Sequence, residues 1–327
     1  MVFDIYQFAG GAHGSTEITS FVYDQNWQRL TQISDLFEKE GDSSVCKLVE
    51  SIAGRRKADR TQLQRDCLVL ASQSPRRKYF IEEVLGVKTV TKKSPTRELL
   101  AQKGLPLSTL TKTIAVMKVL PLIRGCALEG RAVLGSDTLI MLENGDLVGK
   151  APGDTLEERL LHAQDILTGL LGKSQTVSTS MVVYDSIQNK LHIVQDSVEI
   201  EFFAQTPEIV ELLRGYISLS RKWTLGRGPE GKAGCYGLQE PEIVSITRRI
   251  SGDPFVAIGL PLSQTKALLE SCGVKTLSYS EEAVYEAIWG SQVWARTPYQ
   301  VVGVPPQNHD FVPDVRFKMG VPRAIAK

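Results

Sequence analysis

Two adjacent arginines lie where a helix is expected to begin after a strand. Residues 68–86 are typical of a buried strand, a short turn and a helix that opens at Ser74, a good N-cap, followed by proline. Arg76 and Arg77 fall in the first turn, where the helix dipole makes each cation unfavourable by about 0.3–1 kcal/mol. An oligo-anion bound between the arginines and the backbone amides would explain them, because arginine recognises phosphate bidentately. The alternative is that both side chains reach solvent or pair with acidic residues of the same helix, Glu82 and Glu83.

An acidic residue that could act on bound phosphate occurs in the sequence Gly-Ser-Asp-Thr. Asp137 and Thr138 lie between two apolar runs, at the expected end of a strand, and ligands bind at such sheet ends in α/β folds. A carboxylate there can hold a divalent cation or take a proton from water. The alternative is a turn aspartate that accepts hydrogen bonds from its own backbone.

Three lysines and a glutamine extend this polar set. Lys118 lies on a predicted helix face, Lys150 follows a strand, and the segment 231–239 joins Lys232 to Gln239 through small residues. Small residues let backbone N–H groups approach a ligand, and a glutamine amide can pair with a base edge. Each has a simpler alternative, a solvated lysine or a tight structural turn, so the interpretation depends on the whole set.

The composition argues against several other kinds of site. The 327 residues carry a formal net charge of +1, which gives no overall attraction to nucleic acid. The five cysteines include no C-x-x-C pair, and no two of the four histidines are four residues apart, which argues against a disulfide framework and a zinc site. No serine–histidine–aspartate or cysteine–histidine set suggests covalent catalysis. The inventory points to a phosphorylated substrate, a divalent metal (Mg²⁺ or Mn²⁺) and an activated water.

The same composition gives an expectation about location. No apolar run reaches the length of a membrane span, and the N-terminus has no basic start before an apolar segment. With scattered cysteines, this predicts a cytoplasmic protein with no membrane partner. A mitochondrial location is the alternative if the sequence is that of a processed chain.

The elements that must position these residues alternate between strands and helices from about residue 66, which predicts a mixed α/β fold. Asn144-Gly145 predicts a hairpin turn, and Asp154 or Thr155 predicts a helix cap. Two strands joined by Ser251-Gly252-Asp253 are predicted within 242–262. The other predicted elements are a strand at 67–72, a strand pair within 175–203, and helices at 107–123, 154–172, 207–216 and 263–273.

The two ends of the chain differ from this middle part. Residues 1–65 are expected to form a helical extension, with one helix in 21–41 and a second from 43. Residues 276–327 carry spaced prolines that exclude long helices and central strands, which predicts an extended arm lying on a surface. The expected division is therefore an extension (1–65), an α/β domain (66–275) and a Pro/Trp-rich arm (276–327).

The order of five motifs resembles the Maf family of nucleoside triphosphate pyrophosphatases over about residues 66–273. These are S-x-S-P-R-R, G-S-D-T, G-K, K-A-G-x-Y-G-L-Q and I-x-G-D followed by G-L-P-L. The resemblance implies a mixed curved sheet flanked by helices, like that of inosine triphosphatases, with a cleft between two lobes. It also implies a homodimer and metal-dependent hydrolysis of a nucleoside triphosphate to a monophosphate and pyrophosphate.

The resemblance also implies roles for individual residues. Asp137 corresponds to the carboxylate that activates water, Glu98 to an acidic residue that supports the metal, and Lys150 to a third catalytic position. Gln239 corresponds to the residue found in the branch that acts on dTTP and UTP. The remaining residues implied to bind substrate are Ser72, Ser74, Arg76, Arg77, Lys118, Thr138 and Lys232.

The chain departs from the family pattern in ways that keep two hypotheses open. Arg97 stands where the family usually has aspartate, Ala151 where it has proline, and Gln175 where it has histidine. The first hypothesis is an active pyrophosphatase on pyrimidine nucleotides, because most of the phosphate-binding set is present. The second is a structural subunit of a larger assembly, with reduced catalysis, in which the C-terminal arm binds a protein or nucleic-acid partner.

Overall fold

The computed structural model of the chain describes residues 21–23, 29–32, 41–53, 67–94, 105–125, 131–222, 228–280, 283–284, 288, 294–297 and 300–303. The strands of these ranges are β1 Phe21–Tyr23, β2 Arg29–Gln32, β3 Cys67–Leu70, β4 Lys88–Thr91, β5 Ala132–Leu142, β6 Leu147–Val148, β7 Ser174–Asp185, β8 Lys190–Phe202, β9 Thr247–Ser251, β10 Trp294–Thr297 and β11 Gln300–Gly303. The helices are α1 Asp42–Ala53, α2 Pro75–Tyr79, α3 Leu107–Gly125, α4 Leu156–Leu170, α5 Pro207–Lys222, α6 Pro241–Ile246, α7 Pro254–Ile258 and α8 Leu262–Ser271. A π-helical turn, Phe80–Val84, continues α2, and a 3₁₀ turn covers Ala233–Cys235.

Nine strands of the described ranges form one mixed sheet in the order β10-β11-β9-β8-β7-β5-β3-β4, with β6 paired to β5. The pairs of β3 with β4 and with β5 are parallel, and the remaining pairs are antiparallel. The long central hairpin of β7 and β8 pairs without interruption from Ser174 to Asp185. This arrangement confirms the mixed sheet flanked by helices.

Local sequence signals explain several element boundaries. Thr155 caps α4 and forms a capping box with Glu158, which confirms a helix start at this point. Gly145 has a φ of 83°, a left-handed conformation that favours glycine, in the turn between β5 and β6. Four apolar side chains of α3 at helical spacing are buried, as their periodicity predicts, namely Leu110, Ile114, Met117 and Leu120.

Two predicted elements are of the wrong type. The described part of 21–41 contains the antiparallel pair β1 and β2 in place of the first helix, because aromatic and β-branched residues favour strands and pair across the hairpin. The second strand predicted after Gly252 is the helix α7. Asp253 accepts a hydrogen bond from the Phe255 N–H, and Pro254 opens the helix, so capping overrides the apolar run.

Both extensions contact the central domain. Val45 and Val49 of α1 are buried in a cluster with residues of α3, β7 and β8, and the Glu50 carboxylate accepts a hydrogen bond from the Leu191 N–H. At the other end, β11 pairs with β9, so residues of the arm extend the sheet. The domain boundaries expected from the sequence stay a prediction.

The buried apolar residues form three clusters around the sheet. The first lies around β3, the π-helical turn after α2, and α8. The second lies around α4, α5 and α6. The third lies on the α3 face of the sheet. No helix in the ranges given above has the length and hydropathy needed to cross a membrane.

Candidate functional site

A band of polar residues crosses the middle of the sheet and separates the apolar clusters. On one face of β5, Ala132 and Leu134 belong to the first cluster and Ile140 to the second, with Ser136 and Thr138 between them. Cross-strand pairing continues this pattern on β7 and β8. The polar band, as we call it, consists of residues 136–138, 178–180 and 195–197, all of them polar.

Asp137 lies in this band, in the middle of β5 and not at a strand end. The strand runs through from Ala132 to Leu142 and pairs with β7 along its whole length, so the expected interruption is absent. Because alternate side chains of a strand point to opposite faces, Asp137 faces α3 while Ser136 and Thr138 face the opposite side. The prediction of a strand end at Asp137 is therefore wrong.

Gly135 allows α3 to approach β5 closely. A β-carbon at this position would lie 2.5 Å from Val119 Cγ2 and 2.9 Å from the Ala115 carbonyl oxygen. The close approach places Lys118 of α3 over the strand, where its ammonium binds the Asp137 carboxylate and donates to the Ser136 carbonyl oxygen at 3.2 Å. Lys118 and Asp137, predicted separately as substrate-binding and catalytic residues, are thus brought together.

Arg77 turns inward from the first turn of α2 and joins three distant segments. Its Nε donates to the Gly259 carbonyl oxygen at 2.8 Å, and its Nη1 donates to the Ser136 carbonyl oxygen at 3.0 Å. Further bonds run from Nη1 to Ser72 Oγ at 3.2 Å and from Nη2 to Thr138 Oγ1 at 3.0 Å. The side chain is buried, which lowers its pKa to about 10 against the opposing charge of Asp137. Arg77 therefore neither reaches solvent nor pairs with Glu82 or Glu83, so the alternative explanation for its place in the first turn does not hold.

The hydroxyls next to Arg77 form a directed chain of hydrogen bonds. Thr179 Oγ1 donates to the Val256 carbonyl oxygen at 2.6 Å and lies 2.8 Å from Thr138 Oγ1. A hydroxyl has one proton to donate, so Thr138 must donate to Thr179 while it accepts from Arg77. Thr138 is therefore committed to bonds within the protein on both sides.

Two serines before α2 keep donor capacity beside Arg77. Ser72 Oγ accepts from the Ser74 N–H and from Arg77, both at 3.2 Å, and Ser74 Oγ accepts from the Arg77 N–H at 3.5 Å as the N-cap. Ser72 Oγ thus has both lone pairs engaged and Ser74 Oγ has one, and each hydroxyl keeps a proton that it can donate to a phosphate oxygen.

Lys232 lies in a buried cluster with Glu240 and Tyr216, which we call the ion cluster. The Lys232 ammonium is 1% exposed and donates to both Glu240 carboxylate oxygens, at 2.8 and 2.7 Å, and to the Gly228 carbonyl oxygen at 2.5 Å. The Tyr216 hydroxyl donates to Glu240 at 2.6 Å. In this structure Lys232 is enclosed by an ion pair and does not face an open anion site, which differs from the role expected for it.

Arg76 is influenced by the charge of the ion cluster. It is partly buried, and burial lowers its pKa while the negative charge of Glu240 opposes this shift. The pKa of Arg77, the next residue, is likewise lowered by burial and raised by the charge of Asp137. The two arginines of the first turn are therefore each influenced by a different carboxylate.

Gln239 lies directly beside the ion cluster. A β-carbon on Gly237 would lie 2.6 Å from Gln239 Nε2 and 2.7 Å from Glu240 Oε2, so only glycine leaves room for both side chains. Within the described part of the chain, Gln239 Oε1 is shielded from solvent and has no hydrogen-bond partner. The amide is thus held in place with an unused acceptor.

One predicted residue, Lys150, stands apart from this geometry, and another lies outside the described residues. Lys150 is exposed in the loop after β6, and the preceding Gly149 carbonyl oxygen accepts a hydrogen bond from the Gly234 N–H at 2.9 Å, which ties this loop to the 3₁₀ turn. Glu98 and Arg97 lie outside the described residues. Among the described residues, no group of three His, Cys, Asp or Glu side chains could hold a metal ion.

Several residues of this arrangement were not identified from the sequence. Glu240 and Tyr216 act through tertiary contacts between segments far apart in the chain, for which no local signal exists. Gly259 belongs to the G-L-P-L motif, but its contact with Arg77 was not predicted. A signal for the polar band was available: Ser178-Thr179-Ser180 and Gln195-Asp196-Ser197 are polar triplets, each flanked by apolar residues, at the same register.

The charges of the described site favour an anionic ligand. Four cationic side chains accompany three carboxylates, so positive charge is in slight excess at a buried boundary between two apolar clusters. Such groups interact more strongly than they would in water. The four cations are Arg76, Arg77, Lys118 and Lys232, and the carboxylates are Asp137, Asp196 and Glu240.

Comparisons with known proteins identify the family to which the chain belongs. Residues 67–272 match the family described as Maf-like protein. A dTTP/UTP pyrophosphatase of Chlorobaculum parvum is 33% identical over 208 residues, covering 62% of this chain and 92% of that protein. A dTTP/UTP pyrophosphatase of Moorella thermoacetica is 30% identical, covering 63% of this chain and 95% of that protein. The solved Staphylococcus aureus Ham1 protein aligns with 42% of this chain and 71% of its own, at 8% identity and a TM-score of 0.29, too low to support a conclusion.

Proposed function

Because this chain belongs to the Maf family, we propose that it is a nucleoside triphosphate diphosphatase. The reaction cleaves a nucleoside triphosphate between the α and β phosphates and releases a nucleoside monophosphate and pyrophosphate. The observation that carries the proposal is the pairing of Lys118 with Asp137 beside the buried Arg77. A carboxylate between two cations at a polar break in the core suits a polyphosphate and an attacking water.

Four side chains, those of Lys118, Ser72, Ser74 and Asp137, have definite parts in the proposed reaction. The phosphate chain binds the ammonium of Lys118 and accepts hydrogen bonds from the Ser72 and Ser74 hydroxyls. Lys118 also binds Oδ1 of Asp137, which leaves Oδ2 free to act as the base. Oδ2 accepts a proton from a water molecule while the oxygen of that water bonds to the α-phosphorus. The bond from that phosphorus to the bridging oxygen breaks, and pyrophosphate leaves with the electron pair.

Arg77 acts in this scheme by positioning. Four of its five N–H donors are engaged with the protein, so its contribution is to fix Ser72, Ser136 and Thr138 relative to one another. Its charge adds to the electrostatic attraction for phosphate in a site of low dielectric.

A divalent metal fits the donor set of the band. Mg²⁺ is commonly held by one or two carboxylates together with substrate phosphates and waters, not by a full cage of protein ligands. Asp137 is an oxygen donor of this kind, and Glu98 is the second carboxylate that we propose for it. When bound with the triphosphate, the ion would neutralise charge on the phosphate oxygens.

A pyrimidine nucleotide is the proposed substrate. Two relatives at 30% identity or more are dTTP/UTP pyrophosphatases, and Gln239 stands at the position found in that branch. An amide with an unused acceptor beside a rigid cluster can accept one hydrogen bond from a base edge. Thymine and uracil both carry an N–H group that could donate it.

The products distinguish this reaction from other phosphate hydrolyses. Purified protein is incubated with dTTP or UTP and Mg²⁺ or Mn²⁺, and the products are separated by chromatography. Equal amounts of monophosphate and pyrophosphate are expected. Release of orthophosphate with the diphosphate would contradict cleavage between the α and β phosphates.

A further inference from the structure

The ion cluster contains a carboxylate that the proposed reaction does not use. Glu240 is 3% exposed, and its two oxygens accept four hydrogen bonds, two from Lys232, one from the Tyr216 hydroxyl and one from the Gly228 N–H at 2.9 Å. A carboxylate offers about four acceptor sites. Glu240 is therefore fully occupied by the protein and has no capacity left for a ligand.

The partners of Glu240 lie on separate segments of the chain. Tyr216 belongs to α5, Gly228 and Lys232 belong to the segment before the 3₁₀ turn, and Glu240 itself directly precedes α6. Burial and the negative charge of Glu240 raise the pKa of Tyr216 well above its usual value, so the phenol keeps the proton that it donates. One carboxylate thus joins α5, the 228–232 segment and the start of α6.

The Gln239 amide and the Glu240 carboxylate lie next to each other against Gly237. The Glu240 N–H donates to the Gly237 carbonyl oxygen at 2.9 Å, which closes a tight turn around Gln239. The space that a β-carbon on Gly237 would need is filled by the Gln239 amide and by Glu240 Oε2. The position of the amide therefore depends on where Glu240 is anchored.

We propose that Glu240 is the positioning residue that fixes Gln239 for recognition of the nucleoside, and so sets the nucleotide preference of the site. The inference rests on the proposed function for its substrate, but its argument concerns only the nucleoside end. The phosphate end, at Asp137 and Lys118, is held by Gly135 and Arg77. Lys118 donates to Asp137 and Ser136, whereas the Glu240 carboxylate accepts from Lys232, Tyr216 and Gly228.

The test separates the two ends of the ligand. Dissociation constants of dTTP and of inorganic tripolyphosphate are measured by calorimetry for the wild type and Glu240→Gln, with KM and kcat for dTTP hydrolysis. Glu240→Gln is expected to weaken dTTP binding and raise KM by about 10-fold or more, while tripolyphosphate binding changes by less than about 2-fold. Glu240→Asp, which keeps the charge, should recover part of the dTTP affinity. The exposed Glu157→Gln on α4 is the matched control and should bind both ligands as the wild type does.

A structural effect alone would give a different pattern. Equal weakening of dTTP and tripolyphosphate, or no change in either, would overturn the inference. If Glu240→Gln does not fold, the same two dissociation constants are measured for Lys232→Met combined with Glu240→Leu, with the same expected difference between dTTP and tripolyphosphate. Replacing both members of a buried ion pair by apolar residues is often tolerated. Failure of the proposed function appears separately, as a wild type that binds dTTP without releasing pyrophosphate.

Discussion

The Nε of Arg77 donates a hydrogen bond to the Gly259 carbonyl oxygen at 2.8 Å, across 182 positions of the chain. A β-carbon on Gly259 would lie 3.1 Å from Arg77 Nη2 and 3.0 Å from Thr138 Oγ1. The glycine of the G-L-P-L motif and the second arginine of S-P-R-R are therefore two halves of one contact. Because Ile258 and Leu260 on either side of Gly259 belong to the first apolar cluster, this contact joins that cluster to the polar band.

Arg77→Lys tests the contact directly. Lysine keeps the charge but cannot make bonds from Nε, Nη1 and Nη2 at once. We expect the free energy of unfolding to fall by about 2–4 kcal/mol, since several buried acceptors lose their donor. Urea denaturation provides the measurement, with the exposed Arg214→Lys on α5 as control. A loss no larger than that of the control would contradict the role given to Arg77.

Gly135→Ala tests the close packing of α3 on β5. The added methyl group would meet Val119 and the Ala115 carbonyl oxygen, so α3 must shift and carry Lys118 away from Asp137. We expect a loss of about 1–3 kcal/mol in stability and a fall of about 10-fold or more in kcat/KM, because a small displacement of a positioned group is costly. Gly215→Ala on α5, where a β-carbon meets nothing within 4 Å, is the control. Unchanged kcat/KM in Gly135→Ala would count against this packing argument.

Lys118→Met tests the cation beside Asp137. Methionine keeps much of the length of the side chain but removes the charge that pairs with the carboxylate. We expect kcat/KM for dTTP to fall by about 100-fold, as is typical when a preorganised electrostatic group is removed. The control is Lys112→Met, on the same helix α3 as Lys118. It removes an ion pair with Asp42 of α1 and should retain activity. The prediction fails if the two variants are equally active in a steady-state pyrophosphate assay.

Val45→Asp tests whether α1 is part of the domain core. Val45 is fully buried against residues of α3, β7 and β8, and a buried carboxylate without a partner is strongly unfavourable. We expect the melting temperature to fall by several degrees, corresponding to about 2 kcal/mol or more. Ser43→Asp introduces the same residue at an exposed position of α1 and should leave the melting temperature nearly unchanged. Equal melting temperatures for both variants would show that α1 does not stabilise the domain.

Sequence reasoning identified the mixed α/β fold because the alternation of apolar runs, the Asn-Gly turn and the Thr155 cap are local signals. It placed Asp137 wrongly at a strand end, since polar residues within a strand look like a break until the neighbouring strands are seen to be polar at the same register. The role of Lys232 also differed, because its partners Glu240 and Tyr216 meet only in the folded chain. Periodicity failed at 21–32, where helical spacing competed with aromatic and β-branched residues that paired across strands.

Pyrophosphate release by the wild type and by Asp137→Asn, across a panel of nucleoside triphosphates with Mg²⁺, tests the central claim most directly. We predict that the wild type releases pyrophosphate from dTTP or UTP, and that Asp137→Asn is slower by about 100-fold or more because it lacks the proton acceptor. The exposed Asp165→Asn on α4 controls for the loss of one carboxylate. A wild type that releases no more pyrophosphate than Asp137→Asn from any nucleotide would contradict the account.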